Sequence, residues 1–150
     1  MQIAGTLLLA LAAVLGGWMD VVSRRLPNWL SALTGVTGLT FVGLQSGVVA
    51  TGWAAAHAAL AIMIGMALFR FGVIGAGDAK FYAAFAAWFP LQQGLTLLIP
   101  VSLAGVVLVL AWFAYKQIRR VGVEARKGTF AMVPYGLAVG VGAVLARMLA

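Results

Sequence analysis

The chain carries three acidic side chains, Asp20, Asp78 and Glu124, one histidine and no cysteine. Thiol catalysis and cysteine-ligated metal are thereby excluded. His57 lacks a second His, Cys or nearby carboxylate in the sequence, so neither a metal site nor a cofactor is expected. No Gly-x-x-x-x-Gly-Lys-Ser/Thr loop and no Ser/His/Asp set occurs. What remains is carboxylate chemistry. Glu124 lies among Arg119, Arg120, Arg126 and Lys127 and needs no role beyond charge balance. Asp20 and Asp78 instead border long apolar runs. An ionisable group within reach of a membrane is costly and is a functional candidate by default. Two carboxylates a few ångströms apart cannot both ionise easily. The anionic one can take a proton from water as the water attacks a carbonyl, while its protonated partner donates to the carbonyl oxygen. That is hydrolysis with no metal and no covalent intermediate.

The elements that must bring the two acids together follow from where charge is missing. Hydrophobic residues make up 64% of the 150 residues and charged residues 9%, too few to cover a water-facing surface. Charge is absent from residues 1–19, 26–69, 81–115 and 128–146. A spanning helix needs about 20 apolar residues. The outer stretches therefore hold one helix each and the inner ones two each, split at Gln45-Ser46-Gly47 with Thr51-Gly52 and at Pro90-Leu91-Gln92-Gln93-Gly94. The expected fold is all-α: a single membrane-embedded domain over 1–150 with six transmembrane helices near 3–21, 29–46, 52–70, 78–90, 95–116 and 130–148. Long unbroken runs of Ala, Leu and Gly argue against the alternating segments of a β-barrel. The fourth segment reaches only about 20 Å. Either it starts below the surface or the Pro90 break dips into the bilayer.

With six crossings, nine of the ten basic residues fall on one side and Arg147 alone on the other. The positive-inside rule then places both termini on the non-cytoplasmic side and the first helix reads as retained. Two helices separate Asp20 from Asp78, so both acids return to the cytoplasmic rim. A formal charge of +7 often suggests nucleic acid. Here the positives sit where topology and anionic headgroups want them, so the expected partners are membrane lipids and not nucleic acid.

The turn Gly75-Ala76-Gly77-Asp78-Ala79-Lys80 has two readings. Glycines tolerate positive φ and close approach, which suits a tight bend beside an extended substrate. Alternatively it is a glycine turn with Asp78 as an ordinary helix cap. Near Asp20, Pro27-Asn28 looks like the start of helix 2, with Asn28 as its cap. Arg24 and Arg25 serve topology, or one of them pairs with a carboxylate.

Asp20 at the end of helix 1, then Arg24-Arg25-Leu26-Pro27-Asn28, then Gly75-Ala76-Gly77-Asp78-Ala79-Lys80, resembles the type IV prepilin peptidases, intramembrane aspartic peptidases with a Gly-x-Gly-Asp motif. Val133-Pro134-Tyr135-Gly136 resembles a further feature of that family. The resemblance implies catalytic roles for Asp20 and Asp78. It implies a bacterial cytoplasmic-membrane enzyme that cuts, on the cytoplasmic side, the short basic leader preceding the hydrophobic helix of a pilin-like precursor. Family members that also methylate the new amino terminus carry an extra domain with paired Cys-x-x-Cys motifs. This chain has no cysteine and a 22–28 connection too short for such a domain. It resembles the short form associated with Flp-type tight-adherence pili, without methyltransfer.

Other residues invite plainer readings. His57 reads as a packing or hydrogen-bond residue. Lys80 reads as a headgroup or substrate-backbone contact. Gly43-x-x-x-Gly47 and Gly136-x-x-x-Gly140 support close helix packing without specifying a dimer. Trp18, Trp29, Trp53, Trp88 and Trp112 mostly fall near span ends, as interfacial anchors do. Pro100 interrupts helix 5. Two other functions compete with proteolysis: a small proton-coupled transporter and a non-enzymatic assembly subunit of a pilus or secretion platform.

Overall fold

A computed structural model describes residues 2–23, 26–119 and 135–150. Among these, every regular element is helical: α1 Gln2–Ser23, α2 Asn28–Arg70, α3 Ala76–Ala86, a short 3-10 turn Leu91–Gln93, α4 Gly94–Arg119 and α5 Tyr135–Leu149. Three helical stretches are long and apolar enough to cross a membrane, Gln2–Ser23, Asn28–Arg70 and Leu91–Tyr115, and Tyr135–Leu149 is a shorter apolar helix.

A straight helix the length of α2 would run about 64 Å, twice a bilayer core. It does not run straight. Gly47 has φ 83° and ψ −179°, outside the helical region and accessible to glycine at little cost. The two arms of α2, 28–46 and 48–70, lie on α3 in opposite directions. Along the first arm, Asn28 meets Lys80 and Gly38 meets Trp88. Along the second, Gly65 meets Ala79 and His57 meets Phe89. The chain therefore folds back at Gly47, as the expected split between helices 2 and 3 required. The hinge is narrower than the sequence suggests: Thr51 and Gly52 are helical, with the Thr51 hydroxyl donating to the Gly47 carbonyl at 3.0 Å.

The second arm ends where Gly72 takes φ +73°. There the Gly72 N–H bonds the Phe69 carbonyl and the Val73 N–H bonds that of Leu68. These are the two bonds of a Schellman cap, which satisfies carbonyls that a helix end leaves open. The chain then enters α3, the central element. Phe81, Phe85, Trp88 and Phe89 on and just after α3 are essentially fully buried. On one side α3 packs against both arms of α2. On the other, Phe81 seats against Gly16 of α1, and α5 also packs there. Helix α5 runs antiparallel to α1, with Gly140 against Ala13 and Gly17 against Leu137. The Gly136-x-x-x-Gly140 motif thus serves packing within the chain.

The break after α3 is buried in protein. Ala87, Trp88 and Phe89 are at most 1% exposed. Non-helical backbone at that depth needs internal partners. The Trp88 and Phe89 N–H groups donate to Phe85 and Ala86 carbonyls, and His57 Nδ1 lies 2.9 Å from the Phe89 carbonyl oxygen. His57 is thus a buried hydrogen-bonding residue, as expected. Trp88 is not an interfacial anchor. Its indole N–H donates to the Thr34 carbonyl at 3.0 Å, and its ring lies against Gly38 and Phe41. Trp18, Trp29 and Trp53 do remain exposed. Trp88→Ala removes the largest fully buried side chain. It is expected to destabilise the protein by about 3–5 kcal/mol, read as a lowered midpoint of thermal unfolding in detergent.

Candidate active site

Asp20 lies in the last turn of α1, and its carboxylate faces the first turn of α5. The Gly136 N–H donates to Asp20 Oδ2 at 2.7 Å. This amide is one of those that a helix start leaves without an intrahelical partner, and a carboxylate is a favourable partner for it. The approach requires glycine. A Cβ at Gly136 would fall 2.9 Å from Asp20 Oδ2 and 3.0 Å from Leu26 Cδ1.

Asp78 lies in the first turn of α3, three positions further in than the cap. The capping residue is Gly75, in an extended conformation at φ −74°. The Asp78 carboxylate turns back to hydrogen-bond the Gly75 backbone, half of a capping box. The motif glycines therefore do not supply positive φ. Gly75 is needed for space, because a Cβ there would lie 2.7 Å from Asp78 Oδ2. The bend itself is made upstream, at Gly72. Gly77 faces Leu26, whose Cβ would be 3.5 Å from a Cβ at that position. Leu26 touches both Gly77 and Gly136 and so joins the two acid-bearing turns.

Those contacts bring Asp20 and Asp78 to the same end of the molecule, where the two carboxylates lie within electrostatic reach of each other. Tyr135 is within the same reach of Asp78, and its ring packs over Gly105 of α4. Tyr82 lies one turn beyond Asp78 on α3 and within reach of Tyr135. Neither Leu26 nor Tyr82 was singled out by sequence reasoning. The i, i+4 spacing from Asp78 was the signal for Tyr82. Leu26 stands inside the Arg24-Arg25-Leu26-Pro27-Asn28 motif, but nothing local marks the contacts it makes.

The remaining predicted residues divide. Asn28 does not cap α2. Pro27 is the capping residue, and its carbonyl accepts from the Leu30 N–H. The Asn28 side chain is used instead to accept from Lys80 Nζ at 3.1 Å, which ties the start of α2 to α3. Lys80 lies on the α2 side of α3, away from the acid pair. Arg24, Arg25, Pro134 and the 120–129 part of the basic connection lie outside the described residues. No group of three or more His, Cys, Asp or Glu side chains able to hold a metal occurs among the described residues.

The class of protein is thus an all-helical membrane protein whose described acids gather at one end. A family model for the type IV leader peptidase family matches residues 7–110, and the chain belongs to that family, the prepilin-type leader peptidases. The match includes Asp20, Asn28, Gly75, Gly77, Asp78 and Lys80 and ends before Tyr135 and Gly136. No curated protein and no solved structure matches the chain.

Proposed function

We propose that the protein is an aspartic endopeptidase of the cytoplasmic membrane that removes the leader of pilin-like precursors of the Flp type, with Asp20 and Asp78 as its catalytic pair. The observation that carries this reading is the convergence of two lone acids from α1 and α3 at one end of an apolar bundle. One carboxylate accepts a proton from water as the oxygen attacks the scissile carbonyl. The other donates its proton to the carbonyl oxygen. Collapse of the tetrahedral species breaks the C–N bond and returns a proton to the departing amine. Gly75 and Gly136 keep side chains away from the two carboxylates, and Gly77 gives Leu26 room between the acid-bearing turns. Tyr135 stands beside them as a phenol able to orient the pair or the substrate.

The topology that suits this chemistry has six crossings, with the two arms of α2 counted separately. The arms measure roughly 28 and 34 Å, enough for a ~30 Å hydrocarbon core. Arg24, Arg25, Arg70, Lys80 and the 116–127 cations then share the cytoplasmic side with the acids, and both termini and Arg147 lie opposite. At that far end the Arg147 guanidinium donates to Gln45 Oε1 at 3.2 Å and covers the Phe41 ring, so the lone cation has local partners. Methyltransfer is not part of the proposal.

The test is a mass-spectrometric reading of a candidate precursor's amino terminus, with and without this protein in the same membrane. A new amino terminus that depends on the protein supports the reading. An unchanged one refutes it for that precursor. A second expectation concerns pH. Cleavage should follow a bell-shaped profile whose limbs belong to the pair: it falls on the acid side as the base carboxylate takes up a proton, and on the alkaline side as the acid carboxylate loses its own. A single sigmoid at an ordinary carboxylate midpoint would contradict the shared-proton mechanism.

A further inference from the structure

Between the two arms of α2 lies an open groove of about 540 Å³, floored by Ala83, Ala84 and Ala87 of α3. Its walls are mainly small: Ala32 and Gly35 on one arm, Ala58 and Ala59 on the other. It runs from Asn28 and Lys80 to Leu39, about 17 Å along the first arm. Small walls let a second backbone approach closely, which is how helices pack in lipid where apolar burial alone gives no preference. A branched acyl-chain surface would not need them.

Two further observations say what fills it. First, Ser31 lines the groove, is about nine-tenths buried, and its hydroxyl makes no hydrogen bond among the described residues. Ser hydroxyls at such places bond across to a neighbouring helix, and a hydrocarbon tail offers nothing to bond. Second, the groove opens at the end of α3 that carries the candidate site: its rim residue Lys80 follows Asp78 by two positions near the start of that helix, on the neighbouring face. Lys80 is the sole charged residue of the lining among the described residues, and the walls beyond it suit an occupant that is apolar along its length.

We propose that this groove seats the apolar helix of the substrate, with the scissile segment leaving the rim at Lys80 and Asn28 and crossing over Gly75 and Gly77 to reach the acids. The inference rests on the peptidase reading above and adds a separate exosite for the membrane segment. Such a seat orients the cleaved bond by anchoring the chain beside it. Specificity then derives partly from helix packing remote from the reacting atoms.

The experiment uses the full chain in lipid vesicles, a precursor with its apolar segment, and a short peptide spanning only the cleavage site. Ala32→Leu and Ala59→Leu, on exposed groove walls, should each lower precursor cleavage at least about tenfold relative to cleavage of the short peptide. Equal effects on both substrates, or none, would overturn the proposal. A photo-cross-linker at Val36, in the groove, placed in the Asp78→Asn variant should capture the apolar segment of the uncleaved precursor, whereas one at exposed Leu103 on α4 should not. Capture at Val36 of lipid alone or of a second copy would also overturn it. The cross-link reads occupancy without cleavage. Capture at Val36 with no cleavage by the unaltered protein would therefore uphold the groove and sink the peptidase reading.

Discussion

Asp78→Asn should abolish release of the leader, lowering cleavage by at least about 10²–10⁴-fold, the usual contribution of one general acid or base. The same is expected separately of Asp20→Asn. Neither substitution should unfold the protein, and the reason lies in the hydrogen bonds. The Asp20 carboxylate accepts from the Gly136 N–H, and an asparagine oxygen can accept that bond equally well. Asp78 turns back to the Gly75 backbone, and asparagine retains an acceptor there also. What is lost in each case is the ability to hold or release a proton. Combined in one chain, the two substitutions should cost little more than either alone, because groups that act as a unit are not additive. Coexpression with a precursor, followed by mass measurement of its amino terminus, reads all three variants. Continued processing in any of them would remove the corresponding aspartate from the mechanism.

Gly136→Ala should lower cleavage on the order of 10²-fold while leaving the helices in place. The added Cβ would lie 2.9 Å from Asp20 Oδ2 and 3.2 Å from Asp20 Cβ. The carboxylate must turn away from the Gly136 N–H, or α5 must shift by a few tenths of an ångström. Either movement displaces one member of a pair whose geometry sets the rate, and misplacements of about 1 Å typically cost about 10²-fold. Gly52→Ala is the control. It adds a methyl with nothing within 4 Å, on a helical position of α2. Its expected effect is a gain in stability of up to about 1 kcal/mol and unchanged cleavage. Circular dichroism and thermal unfolding in detergent separate loss of function from loss of fold. If Gly136→Ala cleaved normally, the contact between α5 and Asp20 would have no part in the reaction.

Much of this was legible because lipid leaves a chain few options. Backbone groups there must bond internally, so uncharged stretches become helices, and the charge gaps mark them with little ambiguity. Gly47 illustrates the limit. Its neighbourhood signalled a break, but one residue suffices to reverse α2, since glycine alone reaches φ 83° without strain and the helix resumes at once. Asn28 and Trp88 show why local rules fail. Each has a side chain whose ordinary preference, capping or the interface, loses to a partner brought by folding: Lys80 for the first, Thr34 and Gly38 for the second. The motif glycines were expected to bend the chain; instead Gly75 clears space beside Asp78 and Gly77 lies against Leu26.

The sequence by itself determined that this chain is helical and apolar, that α1 and α3 each bring one acid, and that both acids face the same way along the bundle. These follow from composition and from the parity of crossings, which are properties of the chain in order. Only the tertiary structure decided that α5 meets α1 at Gly136, that Leu26 links the two acid-bearing turns, and that Tyr82 and Tyr135 stand around Asp78. Those contacts join residues on separate segments, and which helix faces meet depends on packing small against large, Gly16 against Phe81 and Gly38 against Trp88, and no single segment encodes such a match.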